Sequence, residues 1–165
     1  LCQDVTLQLS PTGNATLTTN DIDNGSSDDD GIASMTLSQT NFNCSHIAGP
    51  NVVVLTVFDN SGNSSTCSGT VTIADTLNPI ASCQNVTVHL DTAGQALVTA
   101  SEIDDGSADN CGILTEMLYR VVFSCIHVGN NTVQLTLTDV NSNVSTCSAT
   151  VTVYDTIVPV AACKD

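Results

Sequence analysis

The sequence repeats itself with a period of about 81 residues. Residues 2–6 (CQDVT) return as residues 83–87 (CQNVT). One residue is lost near Gly129, and residues 65–68 (STCS) then return unchanged as residues 145–148. A repeat of this length is one structural unit, so the chain is predicted to contain two copies of a single small domain.

The repeat also sets the predicted domain boundaries. The first module covers residues 1–77, the second covers residues 78–157, and residues 158–165 begin a third copy. Because the chain starts and ends within the first strand of a module, we expect it to be part of a longer array. The linkers are short and contain Pro79 and Pro159, whose fixed φ angles make them stiff.

Alternating apolar and polar residues are the dominant local pattern. Val5, Leu7 and Leu9 alternate with Thr and Gln, and Val53 and Leu55 follow the same spacing. Such alternation is typical of strands with one buried face, and no segment has a helical period. Short strands separated by Gly, Asn and Asp turns predict an all-β fold of two tandem immunoglobulin-like β-sandwich modules joined by a short Pro-containing linker.

The eight cysteines include no Cys-x-x-Cys pair, which favours disulfides in an oxidising compartment over a zinc site. The whole chain has three Phe and two Tyr side chains, so each small module has a thin core. Joining the first strand to the last strand pairs Cys2 with Cys67 and Cys83 with Cys147. Each bridge closes a loop of about 65 residues and is predicted to stabilise its module by roughly 4 kcal/mol.

The second copy contains two further cysteines, which predict a second bridge from Cys111 to Cys125. The first copy has Asp30 at the position of Cys111, so Cys44 is expected to be unpaired. Cys163 is expected to pair with a cysteine of a third module. The alternative for Cys44 and Cys163 is a disulfide to another chain.

Residues 59–75 (DNSGNSSTCSGTVTIAD) close the first copy, and the second copy opens with Pro-x-x-x-Cys at residues 79–83. These segments resemble the closing and opening signatures of hyalin (HYR) repeats, and the resemblance covers nearly the whole chain twice. The second copy departs from the pattern at Ser142, which replaces Gly62, and both openings have Cys-Gln where the family often has Cys-Pro. The resemblance implies an immunoglobulin-like extracellular module, repeated in tandem in surface and adhesion proteins, without catalytic residues.

The chain is strongly acidic. It has 17 acidic and two basic residues, Arg120 and Lys164, and a formal net charge of -15. So few cations exclude nucleic acid and anionic membrane surfaces as partners. The apolar runs are far shorter than the roughly 20 residues that span a bilayer, so no membrane insertion is predicted. Divalent cations suit this charge better, and the disulfides predict an extracellular or cell-surface location.

Acidic residues cluster at equivalent places in the two copies. Calcium prefers oxygen ligands, about six to eight per ion. The predicted calcium ligands lie in these clusters and at the two module ends: Asp21, Asp23, Asp28, Asp29, Glu102, Asp104, Asp105, Asp109, Asp75 and Asp155. The spacing is not that of an EF-hand. The alternative is that these carboxylates cap turns in solvated loops. Asp59 and Asp139, each followed by Asn four residues later, are predicted to close hairpin turns.

Asn-x-Ser/Thr sequons predict glycosylation. The predicted sites are Asn14, Asn24, Asn43, Asn63, Asn85, Asn130 and Asn143. In a chain this rich in Asn, Ser and Thr, several such triplets arise by chance. The Thr rows on the outer strand faces are the alternative acceptors, for O-linked glycans.

No catalytic motif occurs in the sequence, and an enzyme is not expected. His46 and His127 recur two residues after a cysteine, but neither has a second histidine nearby to complete a metal site, so both are predicted to be structural. The predicted function is a structural or adhesive repeat of a long array or fibre. Its partners are neighbouring copies of itself, with surface glycans or proteins as further partners. The alternative is a carbohydrate-binding or other ligand-binding surface module, although the chain has no Trp for sugars to stack on.

Overall fold

The structure is a computed structural model that describes residues 1–159. The chain divides into two compact units, Leu1–Leu77 and Asn78–Asp165. Cys163 and most of the third copy, whose disulfide was predicted from the sequence, lie outside the described residues.

The first unit contains a four-stranded sheet and a two-stranded sheet. Its strands are β1 (Val5–Gln8), β2 (Asn14–Thr16), β3 (Ile32–Leu37), β4 (Asn41–Asn43), β5 (Asn51–Asp59) and β6 (Ser64–Ala74). The large sheet has the order β1-β6-β5-β3, and the small sheet pairs β2 with β4. A single helical turn, α1 (Thr19–Ile22), follows β2, and a 3-10 turn (Cys44–His46) follows β4.

The second unit repeats this arrangement element by element. Its strands are β7 (Val86–His89), β8 (Gln95–Leu97), β9 (Ile113–Leu118), β10 (Val122–Ser124), β11 (Gly129–Asp139) and β12 (Val144–Tyr154). The large sheet has the order β7-β12-β11-β9, and β8 pairs with β10. The helical turn α2 (Ala100–Ile103) and the 3-10 turn (Cys125–His127) occupy the same places as their counterparts. The fold is therefore two tandem immunoglobulin-like β-sandwich modules, as predicted.

The first strand of each module runs parallel to the last strand. In the first module Val5 lies opposite Val71 and Leu7 lies opposite Ile73. The other strand pairs of both modules are antiparallel. Alternation in the sequence predicts which residues of β1 face inward, but it does not indicate this parallel pairing.

The core of each module lies between its two sheets. In the second module Phe123 and Val98 come from the small-sheet side, and Leu135 and Val151 come from the large sheet. All four side chains are fully buried. The first module buries Phe42 in the same way.

Both predicted bridges between first-strand and last-strand cysteines are present. Cys2 is bonded to Cys67 and Cys83 is bonded to Cys147, with Cα–Cα distances of 5.6 and 5.8 Å. The parallel pairing explains these bonds, because it brings the start of each module beside its last strand.

The predicted bridge from Cys111 to Cys125 is wrong, because Cys125 is a free, exposed thiol. Cys111 precedes β9, whose first residue Ile113 pairs with Asp139 at the end of β11. Cys125 lies before Gly129, at the start of the same 11-residue strand. At about 3.4 Å per residue these two strand ends are roughly 34 Å apart, whereas a disulfide requires Cα atoms within about 7 Å.

The expectation that Cys44 is unpaired is also wrong, because Cys44 is disulfide-bonded. That expectation assumed that Cys44 needs a cysteine at position 30, just as Cys125 was predicted to bond to the equivalent residue Cys111 in the second module. Since Cys111 and Cys125 do not bond to each other, the presence of Asp30 does not deprive Cys44 of its partner. Cys111 is itself disulfide-bonded, although not to Cys125.

Candidate calcium sites

An aspartate closes the hairpin between the two longest strands of each module. In the first module the Asp59 carboxylate accepts hydrogen bonds from the Asn63 backbone N–H at 2.7 Å and from its side-chain amide at 2.8 Å. In the second module Asp139 accepts the same two bonds from Asn143, both at 2.8 Å, and a third from the Asn141 N–H at 2.8 Å. The turn-closing role predicted for both aspartates is present.

The loop before β3 carries a second acidic group to the same end of the first module. One carboxylate oxygen from each of Asp28, Asp30 and Asp59 lies within 4.8 Å of the others. The loop is held against the hairpin by Asn60, whose side-chain amide donates to the Asp30 carbonyl oxygen at 2.7 Å. Ser61 donates to the Asp30 carboxylate at 2.5 Å.

The equivalent loop of the second module brings Asp109 to Asp139. Their nearest carboxylate oxygens are within 4.8 Å of each other. The other Asp109 oxygen, Oδ2, accepts from the backbone N–H groups of Cys111 and Gly112 at 2.8 and 3.0 Å.

In the first cluster, neighbouring carboxyls shift the pKa values of each other. A shared hydrogen bond with the neighbouring Asp30 carboxyl raises the pKa of Asp28 above its ordinary value of 3.8. The same hydrogen bond, with help from Ser61, lowers the pKa of Asp30. Two carboxyls that lie this close together are positioned to share a cation.

The second cluster is buried, and it contains oxygens without hydrogen-bond partners. The Asp139 side chain has no solvent exposure. Oδ1 of Asp109 and Oδ1 of Asn141 are both buried, and neither accepts a hydrogen bond from any residue in 1–159. Buried oxygens are normally satisfied, so this pair of acceptors beside a buried carboxylate suits a hard cation.

Four of the predicted calcium ligands instead cap the backbone near the helical turns. The Asp21 carboxylate accepts from the Thr18 N–H at 2.7 Å and hydroxyl at 2.6 Å, and these bonds lower its pKa. Glu102 does the same with Thr99, at 2.7 and 2.8 Å, and its pKa is also lowered. The remaining two, Asp23 and Asp104, accept from the turns that follow them.

The remaining predicted ligands are Asp29, Asp105, Asp75 and Asp155. Asp29 and Asp105 are exposed and belong to no group of three metal-ligating side chains in the described chain. Asp75 accepts from the Leu77 N–H at 3.2 Å, and Asp155 accepts from the Ile157 N–H at 3.0 Å, so both act as turn caps. Of the ten predicted ligands, Asp28 lies beside Asp59 in the first module, and Asp109 lies beside Asp139 in the second.

The sequence contained a signal for the role of Asp59 and Asp139. They recur at an offset of 80 residues, and Asp28 and Asp109 recur at an offset of 81. A turn-closing carboxylate has two oxygens with several lone pairs, so it can hold a turn and face a second loop as well.

The predicted glycosylation sites differ in how their side chains are used. Asn63 and Asn143 donate to the hairpin aspartates, and Asn43 accepts from the Ser45 N–H at 3.1 Å. Asn85 accepts from the Thr150 N–H at 2.7 Å. Asn14 donates to Thr12, and Asn130 accepts from Thr152. Asn24 is exposed, and its side chain makes no hydrogen bond within residues 1–159.

The two repeated histidines have structural contacts. Nδ1 of His46 accepts from the Asn43 N–H at 3.1 Å, and Nδ1 of His127 accepts from the Ser124 N–H at 3.0 Å. Each ring lies edge-on to the buried Phe of its module, with centroids 5.4 and 5.8 Å apart. These contacts support the structural role predicted for both histidines.

Within the described chain, no helix is both long enough and apolar enough to cross a membrane.

No family model and no curated protein matches the sequence. Among solved structures, the chain is similar to extracellular cadherin domains 1–4 of protocadherin gamma B7, at 14% identity and TM-score 0.38, covering 93% of this chain and 51% of that one. It thus spans about half the length of that structure. It is also similar to domains EC1-2 of a human mucin-like protocadherin, at 11% identity and TM-score 0.38, covering 94% and 98%.

A further similar structure is the N-terminal Ig1-2 module of the Drosophila receptor protein tyrosine phosphatase DLAR, at 9% identity and TM-score 0.28, covering 93% of this chain and 95% of that one. Because the TM-scores of these structures are below 0.5, we infer function from the residues of this chain alone.

Proposed function

We propose that this chain is an HYR-like structural and adhesive segment of an extracellular tandem array, whose partners are neighbouring copies of the module, and that each module binds calcium at its hairpin end. The same sandwich occurs twice, with the same bond between its first and last strands. Disulfides of this kind persist in oxidising compartments, which supports an extracellular location at or near a cell surface.

The observation that carries the calcium proposal is the repetition of one acidic pair. Asp28 meets Asp59 in the first module, and Asp109 meets Asp139 in the second. In the two modules the loop sequences between the paired aspartates differ, yet both conformations bring two carboxylates together. An arrangement that costs electrostatic repulsion in both copies is accounted for by a cation that both copies bind.

In the second module the protein ligands would be Oδ1 of Asp109, Oδ1 of Asn141 and the Asp139 carboxylate. In the first module they would be the carboxylates of Asp28, Asp30 and Asp59. Calcium accepts a mixture of carboxylate, amide and water oxygens, so waters would complete both sets. Because the ion binds only the folded loop and hairpin, it would stabilise the module by about 2.7 kcal/mol at a calcium concentration 100 times the Kd.

Thermal unfolding with calcium and with EDTA tests this site. We expect the wild-type melting temperature to fall in EDTA by several degrees and to recover when calcium is added back. Asp109→Asn should lose most of the calcium response of the second module. Its amide oxygen can still accept from the Cys111 N–H, so the loop itself is retained.

The matched control is Asp105→Asn, which removes an exposed carboxylate from the same loop but from outside the acidic pair. It should keep the full calcium response. If wild-type protein melts at the same temperature in EDTA and in calcium, the calcium part of the proposal is overturned.

The array part is tested separately by electron microscopy of the native material that contains this chain. End-to-end continuous filaments with a repeat of one module are expected. Isolated short particles without continuation would overturn the array.

A further inference from the structure

The two modules differ in chemistry at the loop that follows β3 in the first module and β9 in the second. In the first module this loop contains Ser38 and Gln39, and both side chains are used internally. Ser38 Oγ accepts from the Val54 N–H at 3.0 Å. The Gln39 side-chain amide donates to the Asn41 carbonyl oxygen at 3.1 Å and lies 3.1 Å from Nε2 of His46.

In the second module Tyr119 and Arg120 replace these two residues. The Tyr119 side chain is 90% exposed. Arg120 is exposed, and its guanidinium makes no hydrogen bond or ion pair with any residue in 1–159. It is also the single Lys or Arg in that range, in a chain with a formal net charge of -15. One unpaired cation among so many carboxylates lacks a structural role here.

The backbone beneath these side chains is nevertheless fixed. The Tyr119 N–H donates to the Gln134 carbonyl oxygen at 3.3 Å, and the Val98 N–H donates to the Val121 carbonyl oxygen at 2.8 Å. The loop is therefore tied to both sheets, and it presents Tyr119 and Arg120 from a rigid base.

A groove of about 470 Å³, here called the Tyr119–Arg120 groove, is lined by Tyr119, Arg120, Thr132, Val133, Gln134 and Ser148. Gln134 and Ser148 lie directly opposite each other on β11 and β12. This volume falls in the range of about 300 to 1,000 Å³ that small-ligand sites occupy.

The groove combines three recognition chemistries. An exposed aromatic ring stacks on the C–H face of a sugar ring. Amide and hydroxyl side chains exchange hydrogen bonds with sugar hydroxyls. An unpaired guanidinium forms two parallel hydrogen bonds with one carboxylate or sulfate group. A protein partner would instead need a much larger contact surface than this groove provides, about 800 Å² on each partner.

We propose that the Tyr119–Arg120 groove binds a saccharide unit that carries one carboxylate or sulfate group. This site goes beyond the proposed structural function, and it contains none of the calcium ligands. The second module would then hold a glycan that the first module, with Ser38 and Gln39, cannot bind.

The test is titration of the full chain with three disaccharides of equal size, monitored by calorimetry or NMR. One disaccharide is neutral, one contains a uronic acid and one is sulfated. At least one anionic disaccharide should bind about tenfold or more tightly than the neutral one. Binding by the uronic acid alone identifies carboxylate as the recognised group, and binding by the sulfated sugar alone identifies sulfate. If neither binds more tightly than the neutral sugar, the proposal is overturned.

The decisive variant is Tyr119→Ser combined with Arg120→Gln, which installs the residues that the first module already uses on the same framework. It should lower the affinity for the anionic disaccharide about tenfold or more, while circular dichroism and melting temperature stay unchanged. Arg120→Lys should weaken binding as well, because an ammonium group lacks the planar fork. Unchanged affinity in the double variant, or equally tight binding of an acidic peptide, would overturn the saccharide site.

Discussion

Ser142 occupies the left-handed backbone position that Gly62 holds in the equivalent hairpin, with φ angles of 74° and 89°. A side chain in this region clashes with the backbone and costs about 1 kcal/mol or more. Ser142→Gly should therefore stabilise the second module by about 1 kcal/mol, measured by urea unfolding. Gly62→Ser in the first module should have the opposite effect. A destabilising Ser142→Gly would contradict this account.

The capping carboxylate Glu102 should make part of the stability depend on pH. Its pKa is lowered from 4.5 by the hydrogen bonds from Thr99. The ionised group therefore stabilises the folded module above pH 4.5, and this contribution disappears as the pH falls through the lower folded pKa. Glu102→Gln should lower the free energy of unfolding at neutral pH by up to about 1 kcal/mol.

This difference between wild type and Glu102→Gln should shrink in acid. The matched control is Glu116→Gln, which removes an exposed carboxylate with no hydrogen bond among the described residues. A loss of equal size at neutral and acidic pH would show that the charge of Glu102 is not responsible.

The free thiol of Cys125 should react in the native protein. It is exposed, and its sulfur lies 3.8 Å from the Gly94 carbonyl oxygen. Treatment with iodoacetamide under native conditions, followed by peptide mapping, should place the label on Cys125 and leave Cys2 and Cys67 unlabelled. Protection of Cys125 would contradict its exposure.

The bond between Cys83 and Cys147 should account for much of the stability of the second module. It closes a loop with a sequence separation of 64 residues, and the chain-entropy estimate for such a loop is about 4 kcal/mol. Replacing both cysteines with Ala should lower the free energy of unfolding by that order in urea titration. A loss below about 1 kcal/mol would mean that the bond restrains the unfolded chain very little.

The repeat and the strand alternation were sufficient to predict the two sandwiches and their first-to-last bridges. Residues such as Val53 and Leu55 have one face to bury, so their spacing alone fixes which side points inward. The bridge from Cys111 to Cys125 could not be judged in the same way. Its distance depends on which ends of β9 and β11 meet, and strand pairing is not encoded in the spacing of cysteines.

The sequence also predicted the ligands of the candidate calcium site only in part. Sequence proximity favoured Asp21 and Asp23, which lie close to Asp28 along the chain. The fold uses Asp21 for local capping and brings Asp28 to Asp59, a residue from a distant hairpin. Local sequence predicts which side chains can bind an ion, but only the tertiary loop contact decides which of them meet.

The parallel pairing of β1 with β6, together with the bond between Cys2 and Cys67, has a mechanical consequence. Tension applied along the chain would enter at Cys2, pass through the disulfide to Cys67 and leave along the last strand. The loop between them, with a sequence separation of 65 residues, stays outside the path of the force. Such a loop would otherwise release roughly 200 Å of slack on unfolding, at about 3.3 Å per residue. Under oxidising conditions each module is therefore nearly inextensible, and only reduction of one covalent bond would let it lengthen.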